Sequence, residues 1–185
     1  GGKTRMDMVF QGKEITQMAF DGETGWSTNF MTMEAEKWDS EQSLVMKHQS
    51  DFPNAFVNYK EKGYSISLEG EEEIEGTPCY KVVITKTPVE IDGKEEANTV
   101  EYYFDQESFV PIMSKEYNLT GEMKGKAAET FYSDYDEVEG YIYPFTISQK
   151  FEGQQVFSLT IEEMSFNTEL SETLFAYPEP EAVKE

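Results

Sequence analysis

Carboxylates are the most abundant reactive groups in this 185-residue chain, where 37 acidic side chains face 15 basic ones and a single histidine. Paired acids across a cleft could cleave glycosidic bonds, and clustered oxygens could bind calcium. The densest cluster, Asp134, Asp136, Glu137 and Glu139, lacks calcium-loop spacing, and its strand-to-turn register would splay the side chains to alternate faces. Glu71, Glu72 and Glu73 have the same geometry. No acid stands out as half of a catalytic pair, so both clusters read as solvated rims. His48, the sole histidine, has no nucleophile or orienting acid at a recognisable spacing and reads as a packing residue on a short helix. One cysteine and one histidine make no zinc cluster; Cys79, beside Tyr80 in an apolar strand, reads as a small core hydrophobe. A phosphate-cradling glycine loop is missing too. The residue types therefore predict no catalytic group, no metal, no cofactor and no enzyme.

Aromatic and methionine side chains are the stronger lead. Aromatics make up 14% of the chain although hydrophobic residues are only 38%. Met6, Met8, Met18, Met31, Met33 and Met46 interleave with Phe10, Phe20, Trp26, Phe30 and Trp38. Methionine is flexible and polarizable, so such a surface accepts varied apolar shapes. Two readings stand: a plain core, or an adaptable cavity for acyl chains. An acyl chain gains about 0.8 kcal/mol per buried methylene and needs no polar motif.

A formal charge of −22 repels phosphate backbones and anionic head groups, so nucleic acid is not an expected partner, nor is charge-driven membrane docking. The charge fits self-repelling solubility or recognition of a basic partner equally well. No apolar run is long enough to span a bilayer, so no transmembrane segment is expected. Gly1-Gly2-Lys3 lacks an initiator methionine, and the chain reads as starting inside something longer.

The elements that must position these side chains are mostly strands. Met6, Met8 and Phe10 alternate, Gln11-Gly12-Lys13 turns the chain, and Thr16, Met18 and Phe20 follow in phase. Asp21-Gly22 signals a hairpin into a third strand, 24–33. Asp39, with Gln42 three residues on, predicts a capped helix carrying Leu44, Val45 and His48. A second short helix, 54–60, is expected after Pro53, carrying Phe56, Val57 and Tyr59, with Gly63 ending it. From Tyr64 onward alternation returns, punctuated by the twin turns Glu75-Gly76 and Glu139-Gly140, with 88–97 as a polar connection. About nine or ten antiparallel strands of this kind must curl to cover an apolar face. The expectation is one mainly β (α+β) domain over residues 1–178: a curled antiparallel sheet forming an incomplete β-barrel covered by short helices. Residues 179–185 read as a flexible acidic tail.

The order of four segments resembles the bacterial outer-membrane lipoprotein-sorting proteins, the LolA/LolB-like superfamily. Phe20-Asp21-Gly22-Glu23-Thr24-Gly25-Trp26 is similar to a DGxxxW hairpin, and Tyr103 to Pro111 to a yyiDxxtylP segment. Tyr132 to Pro144 resembles yxdYxevdGxxxP, and Asn167 through Leu174-Phe175 to Pro178 resembles a closing N…lFxxP. The family's opening amphipathic helix and first strand have no counterpart here, which would leave a sheet edge able to pair with another copy. The resemblance implies a periplasmic or cell-envelope protein holding a lipid or acylated lipoprotein in an apolar half-barrel. On that basis Met8, Phe10, Met18, Phe20, Trp26 and Phe30 are expected to line the cavity, with Leu44, Val45, Phe56 and Tyr59 in the lid. An envelope protein is a further expected partner. An envelope-stress sensor using the same fold without cargo is the alternative.

Overall fold

Hairpin turns of one chemistry build the framework. At Glu75-Gly76 and Glu139-Gly140 both central residues have positive φ, 49° and 88° in the first and 50° and 87° in the second. That is the mirror-image turn whose twist matches paired strands, and glycine supplies its second position without steric cost. The same X-Gly pair recurs at Gln11-Gly12, Asp92-Gly93 and Glu152-Gly153.

The structure, a computed structural model, describes residues 2–49, 51 and 54–178. The expected tail at 179–185, the helix start at Pro53 and the side chain of His48 lie outside the described residues. Two compact units are present: Gly1–Asn54 together with Glu169–Glu185, and Ala55–Thr168.

The first unit holds a four-stranded antiparallel sheet in the order β1 (Thr4–Phe10), β2 (Lys13–Phe20), β3 (Gly25–Asn29), β4 (Glu34–Lys37). Helix α1 (Ser40–Gln49) follows. Its start is the expected capping box: the Gln42 backbone N–H donates to Asp39 Oδ1 at 2.7 Å, and Gln42 Oε1 accepts from the Asp39 N–H at 3.1 Å. Phe20, fully buried, stacks on Trp38 with centroids 6.3 Å apart. Arg5 ties β1 to its neighbours, bonding Asp7, Thr16 Oγ1 at 2.8 Å and the Leu174 carbonyl at 2.6 Å. The last of these sits in a short 3-10 turn, Glu172–Phe175, capped by Ser171.

The second unit is a seven-stranded antiparallel sheet. Its strands are β5 (Ser65–Ile74), β6 (Thr77–Thr85), β9 (Thr99–Asp105), β10 (Pro111–Tyr117), β11 (Ala127–Val138), β12 (Tyr141–Phe151) and β13 (Gln154–Thr160). They lie in the order β13-β12-β11-β10-β9-β6-β5, curled but not closed into a barrel. A small ribbon, β7 (Val89–Ile91) with β8 (Lys94–Glu96), stands apart from that order.

Four local expectations need correction. The single strand expected over 24–33 stops at Asn29, where a tight turn feeds β4. The second helix is a run of turns, because Asn58 takes φ +55° and breaks the helical path; Phe56 and Tyr59 are therefore not on a helix. The polar connection at 88–97 folds as β7–β8, burying Val89 and Ile91 beneath their charged neighbours. Thr16 does not share a face with Met18, since a bulge sets Met18 opposite Met6 but Thr16 opposite Asp7.

Gly25 marks the tightest packing in the first unit. Its backbone angle is ordinary, yet a Cβ there would enter the Trp38 ring, a rigid neighbour. Gly25→Ala should destabilise the protein by about 1–3 kcal/mol through overpacking. Chemical denaturation measures it, and an unchanged midpoint would contradict this packing.

Candidate functional site

Cross-strand register sorts the seven-stranded sheet into two chemically distinct faces. Side chains directly opposite one another share a face. Lys81 is registered with Tyr103, Tyr103 with Met113 and Met113 with Phe131, while Glu101 stands beside Lys115 and Lys115 beside Glu129. This face is laced by charge. Lys81 Nζ lies 3.0 Å from Glu101 and 3.7 Å from Glu72, Lys115 lies 3.6 Å from Glu129, and Lys150 Nζ sits 4.1 Å from the Phe131 ring centroid. Burial opposes ionisation of Glu101, but the Tyr103 hydroxyl at 2.8 Å and Lys81 outweigh it and hold the carboxyl below its ordinary range. Cys79, fully buried, belongs to the small cluster under this face with Tyr103 and Met113, and burial pushes its thiol up. It is a core residue.

The opposite face is apolar. Ile66 pairs with Ile84, Leu68 with Val82, Tyr80 with Phe104 and Val82 with Tyr102. Ala55, from the turns preceding β5, packs with Ile84 and Val100, and the Phe56 ring meets Tyr102 at 4.9 Å and Phe104 at 5.6 Å, edge to face in both cases. Beside them lies an open groove of about 370 Å³, lined by Ile66, Leu68, Tyr80, Val82, Phe104 and Phe109. That volume falls at the lower end of the small-molecule range, about 300–1,000 Å³.

One wall of the groove is held at a cost. Phe109 has φ +57°, a left-handed conformation disfavoured by about 1–2 kcal/mol for a bulky residue. The turn around it fixes that conformation: Asp105 accepts from the Ser108 N–H and hydroxyl, and the Phe109 N–H donates to the Asp105 carbonyl at 3.0 Å. The result is a ring stacked on Tyr80, 6.3 Å away and within 6° of parallel, yet 66% exposed. Leu68 across the groove is 67% exposed. A strained residue holding an exposed aromatic ring makes this wall a candidate for function.

Polar groups flank the apolar part of this face, with Glu71 of β5 opposite Tyr80 and Thr130 of β11 opposite Gln149 of β12. Ser114 Oγ and the Tyr132 hydroxyl are bonded at 2.8 Å, and Tyr132 ionises above its ordinary range because it is buried. Glu116 stands between Val100 and Ala128. Burial pushes its carboxyl up, and the charge of Lys86 pulls it back only in part. Among the described residues, no group of three or more His, Cys, Asp or Glu is placed to hold a metal.

The cavity residues expected from the sequence lie in the first unit. Met18 and Phe20 stand beside Ser27 and Gly25, whereas Trp26 stands beside Ala19 and so takes the other face. Trp26 is buried edge-on against Tyr177, Phe10 and Phe30 meet at 5.4 Å, and Met8 is half-buried. Leu44 and Val45 are half-buried on α1, and Leu44 lines a separate hollow with Trp38 and Ser43. Phe56 joins the groove's aromatic cluster; Tyr59 lies in the preceding turns. Five of the groove's six lining residues, all but Phe109, carry a sequence signal, the alternation at 64–84 and 100–104, but their meeting depends on β6–β9 pairing across the β7–β8 insertion.

Comparison with known proteins bears on the fold. A family model described only as "Uncharacterized protein" matches residues 28–178. No curated protein matches the sequence. Among solved structures, the chain is similar to a domain described as that of an outer-membrane lipoprotein-sorting protein from Vibrio parahaemolyticus, with TM-score 0.51 and 13% identity over 94% of this chain and 69% of that one. It is also similar to a LolA superfamily protein from Nitrosomonas europaea, with TM-score 0.52 and 15% identity over 94% of this chain and 87% of that one. The fold is LolA-like.

Glu116 yields a signed pH test. A carboxyl raised in the folded state stabilises the fold while protonated, below the unfolded value of about 4.3, and that contribution is lost as pH rises through the raised folded value. Glu116→Gln should therefore raise the melting temperature at pH 7, with the gain shrinking towards about pH 4. Thermal melts across that window check it; a loss of equal size at both ends would contradict the burial-driven shift.

Proposed function

The chain belongs to the family of uncharacterised proteins matched over residues 28–178, and we propose that it is a non-enzymatic binding or carrier protein for acyl chains. The observation that carries this reading is the wholly apolar, open groove on the second unit's sheet, walled by exposed Leu68 and strained Phe109. A hydrocarbon chain lying there needs no polar recognition. Burying eight methylenes would supply roughly 6 kcal/mol before the costs of association are subtracted. The LolA-like fold supports a lipid or an acylated lipoprotein as cargo, handled in the periplasm or cell envelope. No helix among the described residues is long and apolar enough to cross a membrane. A second reading, a protein-interaction module of the envelope-sensor kind, draws on Tyr141, Ile142 and Tyr143, which remain exposed at one hairpin end beside Phe166.

Native mass spectrometry with organic extraction tests the carrier reading. Acyl species bound at near one per chain are expected; a bare mass together with failure to take up a fluorescent fatty acid would favour the interaction module. Two variants then separate binding from folding. Leu68→Glu puts a charge on the groove wall at an exposed position and should weaken probe binding by about tenfold or more at unchanged stability. Phe109→Gly relieves the left-handed strain, so stability should stay within about 1 kcal/mol of the parent or rise, while probe affinity falls. Loss of stability with affinity intact would make Phe109 a packing residue.

A further inference from the structure

A bulge decides which carboxylates share the groove's face. Gly70 takes φ +120°, a backbone suited to glycine, and the pairing of β5 with β6 shifts between Leu68 and Gly70. Without that shift Glu72 would follow Leu68 onto the groove side. With it, Glu71 stands opposite Tyr80 and Glu73 opposite Pro78 on the groove side. Glu72 turns to the other face and pairs with Lys81 at 3.7 Å. Glu71 and Glu73 are exposed, and neither has a cationic partner among the described residues. Lys81 is the one basic residue on β5, β6 and β9, and it belongs to the charged face. The groove face is covered at its other end, where Ala55 and Tyr64 pack with Ile84 and Val100. Lys62, 5.9 Å from the Tyr64 ring centroid, belongs to that covered end.

Resting on the acyl-binding reading, we infer that the groove selects a lipid whose head is an ammonium group. The chain lies along Ile66, Leu68 and Val82, and the cation sits at the open end beside Tyr80, Phe109 and Glu71. Two features favour this occupant. The Phe109 ring lies parallel to Tyr80 and is 66% exposed, and an aromatic face attracts an ammonium, the more so where water is displaced. Beside it, Glu71 and Glu73 supply the opposite charge with no lysine on these strands to neutralise them. A carboxylate head is opposed by the same two side chains and by the field of a chain carrying −22. The strain at Phe109 then has a reason that hydrocarbon alone does not give. Leucine could wall an acyl chain, but only an aromatic ring offers its π face to a cation. Area holds the chain, and charge chooses the head.

Calorimetric titration of the full chain with decyltrimethylammonium, decyl maltoside and decanoate, each below micelle formation, compares three heads on one chain. The ammonium should bind about tenfold more tightly than decanoate, with the maltoside between them. Glu71→Gln combined with Glu73→Gln should remove most of that preference and leave maltoside affinity within about twofold, and added salt should narrow it in the parent protein. Phe109→Leu should lower ammonium affinity and spare the maltoside. Glu162→Gln combined with Glu163→Gln removes as much charge from exposed positions after the opposite edge strand, β13, and should leave the preference intact. Circular dichroism confirms that each variant is folded. Equal affinity for the three heads would overturn the head selection and leave the carrier reading standing. A preference reduced equally by the two double variants would do the same, because it would reflect diffuse attraction. Binding of none of the three would overturn the carrier reading itself, and this inference with it.

Discussion

Register is the constraint on which the second unit depends. Side chains in a strand alternate with period two, so a slip of one residue would carry the charged ladder to the groove side and the aromatic rings to the other. Two devices oppose that slip. The Glu75-Gly76, Glu139-Gly140 and Glu152-Gly153 turns each fix the pairing of the strands they join. Lys81, held between Glu72 and Glu101 with Tyr103 bonded to the same carboxylate, locks β5, β6 and β9 laterally. Exposed ion pairs contribute little to stability one by one. Here they matter because they reward one register over its neighbours.

That division of faces leaves an energetic asymmetry. The charged side is satisfied by its own pairs, whereas the apolar side is covered in part by Ala55, Phe56 and Tyr64 and then opens at Leu68 and Phe109. A chain selected for stability alone would close the gap or place glycine or asparagine at position 109. Keeping phenylalanine in a left-handed conformation instead retains an aromatic wall that hydrocarbon can lie against. Of the polar groups on this side, Ser114 and Tyr132 are bonded to each other and Glu116 is half-buried between Val100 and Ala128. Binding by area, without chemistry, is what such a surface can do.

Much of the architecture was legible because it is written in local chemistry. The Asp39–Gln42 capping box, the X-Gly turns and the burial of Cys79 all follow from residues a few positions apart. The failures share a cause as well. In β4, three of four residues are charged, so no alternation announces it. Asn58 looks like an ordinary helical residue until its positive φ breaks the turn. The bulge beside Thr16 has no sequence mark, yet it reverses which residues share a face with Met18. The methionine-rich opening drew the cavity expectation to Met8, Phe10, Met18, Phe20, Trp26 and Phe30. A second apolar surface, the open groove, forms where β6 meets β9, a pairing that skips the β7–β8 ribbon and leaves no local trace.

The location of acyl binding can be read directly by methyl-resolved NMR during titration with a medium-chain fatty acid. If the groove is the site, methyl signals of Ile66, Leu68 and Val82 shift together and saturate at one equivalent, while those of Met8 and Met18 stay in place. Shifts confined to Met8 and Met18, or no saturable shift anywhere, would contradict the assignment of the second unit's apolar face as the ligand surface.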